Sequence, residues 1–155
     1  MKALSLWQPW ATFIAIGVKP FETRDWKPPK WLIGKRIAIH AAKKRVSADD
    51  LEWAIRCGVI GDLPLGAVVC TAILAGAYRM GIAERVPGSR PLGNAFRADE
   101  FGDYSPGRWA WWLEQSELSA NGRKGIGHGR VLGRSLGCED ASACDFEVAW
   151  VGLDA

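Results

Sequence analysis

The sequence predicts an α+β fold, a small and partly open β-barrel with flanking helices. Three observations lead there. Short apolar, β-branched runs recur along the chain, with only one or two helix-like stretches between them. No internal repeat and no linker divides the 155 residues, so residues 1–155 are read as a single domain large enough to bury a real core. Hydrophobic content of 48% and charged content of 24% are those of an ordinary globular protein.

In chain order, Lys2 to Leu6 reads as a first strand. Gln8-Pro9-Trp10 opens a helix, with Pro9 in the first turn where its missing N–H is harmless. Ala11 to Ile16 is apolar nearly all round, which predicts a buried helix ended by Gly17. Lys19 to Trp26 is expected to be extended, because Pro20 disfavours a helical Lys19. On that strand Glu22 and Arg24 share one face and Phe21 and Thr23 the other. Gly34 to Ala42 reads as a buried strand. Ser47 caps a helix that carries Asp49 and Asp50 in its first turn and stops at Gly58. Leu65 to Ala77 is the best central strand, and Arg79 to Asp103 a long surface loop. Arg108 to Leu113 is a strand with Trp109, Trp111 and Leu113 on one face and bulk on the other too. Phe146 to Val151 alternates as a final strand. The glycines of Gly125-Ile126-Gly127-His128-Gly129 follow no strand, so they do not form a dinucleotide fingerprint.

Composition narrows the function classes. No segment reaches the ~18–20 apolar residues of a membrane span, and the N-terminus lacks the marks of a signal peptide, so a cytoplasmic protein with no membrane partner is expected. Cys57, Cys70, Cys138 and Cys144 form no Cys-x-x-Cys pair. The first two sit in apolar surroundings and are expected to be reduced core residues. His128, Cys138 and Cys144 match no common ligand spacing, so neither a metal nor another cofactor is expected. The net charge of +3 conceals an asymmetry: residues 1–46 hold ten Lys/Arg and only Glu22 and Asp25 as acids, whereas the remainder is acidic. That bias points to a polyanionic partner, or else to a solvated basic face. Nine tryptophans is several times normal usage. Most should be core, and a few beside a basic cleft would serve as stacking platforms for bases.

The densest set of chemically capable residues is Gly17-Val18-Lys19-Pro20-Phe21-Glu22-Thr23-Arg24. Lys19 is either a phosphate contact, a base if desolvated, or a plain surface lysine at a helix end. Glu22 is a general base or a salt-bridge partner that orients its neighbours. Arg24 offers a planar fork to a phosphate, or pairs with Glu22 to close the barrel rim. His40 has the titration range for acid–base work but follows a buried strand, where a hydrogen-bonded core-edge histidine is the plainer reading. Lys43, Lys44 and Arg45 suit backbone-phosphate contacts. Trp7, Trp10 and Trp26 are candidates to stack bases or to pack the core. Gln8 stands with them in the Trp-rich opening.

Leu4-Ser5-Leu6-Trp7-Gln8-Pro9-Trp10-Ala11, then Gly17-x-Lys19-x-x-Glu22-x-Arg24-x-Trp26, then Ala38-Ile39-His40-Ala41-Ala42-Lys43, resembles the ASCH domain (activating signal cointegrator homology) of the PUA-like superfamily. Leu65-Gly66-Ala67-Val68-Val69 and Phe101-Gly102-Asp103-Tyr104-Ser105-Pro106-Gly107-Arg108-Trp109-Ala110-Trp111 look like its prokaryotic and phage members. The likeness covers residues 1–114 and fades after Ser116, so residues 117–155 are divergent and inherit nothing from it. It implies a PUA-like barrel, a cleft lined by the Lys/Glu/Arg motif, and RNA or another single-stranded nucleic acid as partner. Some relatives are ribonucleases or amidohydrolases of a modified cytidine. In the amidohydrolases Thr stands where this chain has Glu22, and Thr23 is one position off. The expectation is an RNA-binding module with a basic cleft around Lys19, Glu22 and Arg24; the alternative is a metal-independent ribonuclease using Lys19, Glu22, Arg24 and His40. A protein partner, as for a coactivator, rests only on the loop at 79–103, and the oligomeric state is left open.

Overall fold

The computed structural model describes residues 1–93, 96 and 98–119, and the backbone of 149–150. Its elements are β1 (Lys2–Leu6), α1 (Trp10–Ala15), β2 (Phe21–Arg24), a 3-10 turn (Lys30–Leu32), β3 (Arg36–Ala41), α2 (Ala48–Arg56), β4 (Ala67–Arg79), β5 (Glu84–Arg85), β6 (Trp109–Leu118) and β7 (Ala149–Trp150). One mixed sheet runs in the order β2-β6-β4-β3-β1-β7, with β5 added to β4. β1 is parallel to β3 and β7, and the other pairings are antiparallel. The sheet curls into a half-barrel with two helices beside it, the predicted α+β architecture.

Local chemistry explains both helices. Each ends in a reciprocal pair of backbone bonds around a left-handed glycine: Gly17 N–H to Ile14 O with Val18 N–H to Phe13 O, and Gly58 N–H to Ile55 O with Val59 N–H to Ala54 O. Ser47 caps α2 by accepting from the Asp50 N–H at 3.1 Å. α1 is buried from Ala11 to Ala15, as its all-round apolar sequence requires. Gln8, expected among the nucleic-acid contacts, is instead buried. Its Oε1 accepts from the Thr12 N–H at 3.1 Å and its Nε2 donates to Pro64 O at 2.9 Å.

Two apolar clusters result. One fills the half-barrel with Leu4, Ile14, Ile39, Val69, Leu74 and Trp111 among its members. The other joins Phe13 of α1 to Ala54 of α2 and Val59, with Trp53 and Phe101 against it. Trp109, Trp111 and Leu113 face the first cluster as the alternation predicts. On the opposite face Trp112 stacks on Phe21. Cys70 is buried, and burial pushes its thiol up to about 12. The stretch 79–103 is less of a surface loop than expected. Val86 is fully buried, and the Ser89 hydroxyl accepts from the Ala77 N–H. Of the expected last strand, Ala149–Trp150 pairs with β1. The glycines at 125–129, His128, Cys138 and Cys144 lie outside the described residues. Among the described residues no helix is long and apolar enough to cross a membrane.

Leu74 is completely buried at the centre of β4. Leu74→Ala is expected to lower unfolding stability by about 2–5 kcal/mol, whereas Ile55→Ala on the exposed face of α2 should stay within about 0.5 kcal/mol. Urea denaturation of the two variants checks the contrast.

Candidate functional site

The helix-ending glycine turn after α1 decides where Lys19 goes. It directs the Lys19 side chain inward, where only 1% remains exposed. There the ammonium donates to Phe21 O at 2.5 Å and lies 3.1 Å from Glu22 Oε2. The other Glu22 oxygen, Oε1, is 3.1 Å from Arg24 Nε. That contact is ionic, because the Nε–H is not aligned for a hydrogen bond. Arg24 Nη2 then donates to Ser5 O on β1 at 2.9 Å. The Lys/Glu/Arg motif is therefore one chain of contacts, Lys19–Glu22–Arg24–Ser5, running from the interior towards solvent.

It ends at a cavity of about 540 Å³ lined by Ser5, Leu6, Trp7, Trp10, Glu22, Thr23, Arg24, Trp53, Glu100, Phe101, Gly102 and Asp103. One wall is aromatic. Trp10 and Trp53 have ring centroids 6.1 Å apart, and Trp53 and Phe101 5.5 Å. Phe13 supports Trp53 from behind, edge-on at 5.1 Å. Trp7 stands at the rim, 57% exposed, with the Lys44 ammonium 3.3 Å from its ring centroid. Next to Phe101, Gly102 passes so close to Tyr104 and Thr23 that a Cβ would sit 2.9 Å from the Tyr104 ring and 3.1 Å from Thr23 Cγ2. The Asp103 N–H donates to Thr23 Oγ1 at 3.1 Å. Hydrogen bonds from Ser105 hold the Asp103 carboxyl below its usual range.

Several expectations are corrected by this geometry. Lys19 is not a phosphate contact, because its ammonium is buried under Glu22. The cleft around the motif is not basic. Glu22, Glu100 and Asp103 face it along with Arg24. His40 does not line it; Nδ1 lies 3.1 Å from Ser5 Oγ, one residue back from the cavity. Trp26 packs edge-on against Trp111, centroids 4.6 Å apart, and belongs to the core. Trp7, Trp10, Glu22 and Arg24 do converge on the cavity; Lys43, Lys44 and Arg45 are exposed just after β3 and are not among its lining residues, Lys44 reaching it only through Trp7. The Lys43 stem lies over Gly66, where a Cβ would come within 2.8 Å of it. Sequence reasoning missed Trp53, which nothing in α2 distinguishes from a core tryptophan. It also gave no role to Phe101, although Phe101-Gly102-Asp103 opens one of the recognisable motifs.

Among the described residues no group of three or more His, Cys, Asp and Glu is placed to hold a metal. The chain matches no protein-family model, and no curated protein matches its sequence.

Two outcomes follow. Lys19→Met leaves the buried Glu22 with one cation fewer and should cost about 3–5 kcal/mol of stability, with the double variant Lys19→Met/Glu22→Leu recovering part of it in the same denaturation assay. His40 has its pKa lowered from 6.5, chiefly by burial and further by Lys43, with a hydrogen bond to the Gly66 backbone opposing. The unfolded chain then takes up the proton more readily than the folded one. Stability should fall as pH drops through the window just below the ordinary value and level off once both states are protonated. Unfolding midpoints between about pH 5 and 7.5 check this, and His40→Gln should flatten that part of the profile.

Proposed function

We propose that this chain is a single-stranded nucleic-acid-binding protein of the ASCH type, with RNA as its polymer. It holds one base in the aromatic cavity and phosphates against Lys43, Lys44 and Arg45. The observation that carries this reading is the convergence of Trp7, Trp10, Trp53 and Phe101 on one cavity of about 540 Å³ with the Arg24 guanidinium in its wall. That volume lies in the range of small-molecule sites. Flat rings stack bases with little regard to their identity, and a guanidinium meets a carbonyl or phosphate oxygen with a pair of donors. The exposed cations after β3 supply the salt-dependent contact to the backbone.

Binding is favoured over catalysis by how the motif is engaged. Cleavage of RNA requires a free base for the 2′-hydroxyl proton, a cation at the phosphorane and an acid for the leaving oxygen. Both Glu22 oxygens are held by cations, Lys19 is sealed from solvent, and His40 is outside the lining. Amide hydrolysis through a lysine-activated hydroxyl is disfavoured too, because Lys19 is bonded to Phe21 and Glu22 and the Thr23 hydroxyl accepts from Asp103.

Fluorescence anisotropy with labelled single-stranded RNA of about 12 nucleotides, in EDTA, tests the proposal, with matched DNA alongside. Affinity should fall with salt at a slope near −0.7 per phosphate contact, and the RNA should stay intact. Trp53→Ala should weaken binding about tenfold, since stacking one base is worth about 1–3 kcal/mol. No binding at low salt would overturn the reading, and cleavage lost with the Glu22→Gln variant would replace it with a nuclease.

A further inference from the structure

The end of the barrel opposite the cavity carries a second set of basic and aromatic side chains. β1 runs from Lys2 to the cavity-lining Ser5 and Leu6, and β3 lies parallel beside it with Ala3 opposite Ala38 and Leu6 opposite Ala41. The starts of both strands therefore sit at the far end. There the turn Lys30–Leu32 presents Trp31, which is 56% exposed, a high value for the residue type that buries most area. The Lys2 ammonium lies 6.0 Å from the Trp31 ring centroid. Lys30 in the same turn and Lys35 just before β3 are both exposed. The backbone after the turn is tied to the sheet. The Lys35 N–H donates to Leu32 O at 3.1 Å, and Gly34 and Lys35 exchange backbone bonds with Leu74 of β4 at 2.7 and 3.0 Å.

The chain segment through this turn carries charge of one sign. From Trp26 to Val46 the chain holds no acidic residue. Lys27 and Arg36 are paired with Glu84 and Glu117, but Lys2, Lys30 and Lys35 have no carboxylate within salt-bridge distance among the described residues. An exposed tryptophan framed by lysines that have no carboxylate partner among the described residues suits a stacked base with a phosphate on either side. The cavity, by contrast, has carboxylates among its lining.

We infer that Trp31, with Lys2, Lys30 and Lys35, is a second base-stacking platform for the same single-stranded nucleic acid. This rests on the proposed function, and it adds that the ligand tracks along the barrel from the cavity to the far end. The span of β1 is roughly 13 Å at about 3.3 Å per residue, so a mononucleotide in the cavity cannot reach Trp31 and an oligonucleotide can.

The test compares two probes on the full chain: labelled RNA of about 12 nucleotides by anisotropy, and uridine 5′-monophosphate by quenching of tryptophan fluorescence. Trp31→Ala, a surface change whose unfolding midpoint should match wild type, is expected to weaken the oligonucleotide about tenfold and leave the mononucleotide unchanged. Lys30→Gln/Lys35→Gln should reduce the salt slope by about 1.4. If Trp31→Ala binds the oligonucleotide as wild type does while Trp53→Ala is weakened, the second platform is wrong and the cavity stands. If only Trp31→Ala is weakened, the platform stands and the cavity reading fails. If wild type ignores RNA but sediments with phosphatidylserine vesicles through Trp31, the occupant is a membrane surface and the inference is overturned.

Discussion

In the strand order β2-β6-β4-β3-β1-β7, among the described residues β2 forms no backbone ladder with β1, and β7 pairs with β1 only at Lys2 and Ala3, away from Ser5. Across the seam between β2 and β1 the Arg24 guanidinium donates to Ser5 O. The guanidinium is held by Glu22, and Glu22 by Lys19. A buried carboxylate is tolerated only when opposite charge and hydrogen bonds compensate its desolvation. Here two cations do so from either side, one buried and one reaching the cavity. The seam is closed by side chains rather than by a ladder, which leaves an opening above it. That opening is the cavity.

The aromatic wall follows from the same arrangement. α1 leaves β1 through Trp7 to Trp10 and returns through the turn at Gly17, so its first residue overhangs the seam. α2 packs on α1 through Phe13 and Ala54, which sets Trp53 beside Trp10. The segment before β6 then lays Phe101 on Trp53, with Gly102 fitting between Thr23 and Tyr104 only because it lacks a Cβ. Three stretches far apart in sequence supply one surface, each positioned by packing behind it.

How much of this was legible depends on the range of the interaction. The caps and strand alternation are local. Ser47, Gly17 and Gly58 mark the helix ends, and the pairing of Glu22 with Arg24 follows from their spacing on a strand. Of the readings of Lys19, the phosphate contact and the surface lysine fail because the chain turns inward after Gly17 and folds the ammonium back onto Phe21 O and Glu22, a direction composition does not reveal. Gln8 was misread for a related reason. Its partner Pro64 lies 56 positions away. Of the two readings open for Trp26, the core beside Trp111 is the one the structure shows, while Trp53, given no role from sequence, lines the cavity. Side-chain type alone could not separate them.

The distribution of charge argues further about how a polyanion would meet this surface. At the motif, cations and carboxylates are interleaved and their fields largely cancel. Among the described residues, positive charge without a carboxylate partner sits at the ends of β3, in Lys30 and Lys35 before it and Lys43 to Arg45 after it. Long-range attraction is set by net charge, whereas a fixed pair of donors such as Arg24 acts only at contact. On the proposed reading, attraction and selection would fall to different residues. Loss of the end cations would slow encounter and flatten the salt dependence, and loss of a cavity group would shorten residence at any ionic strength.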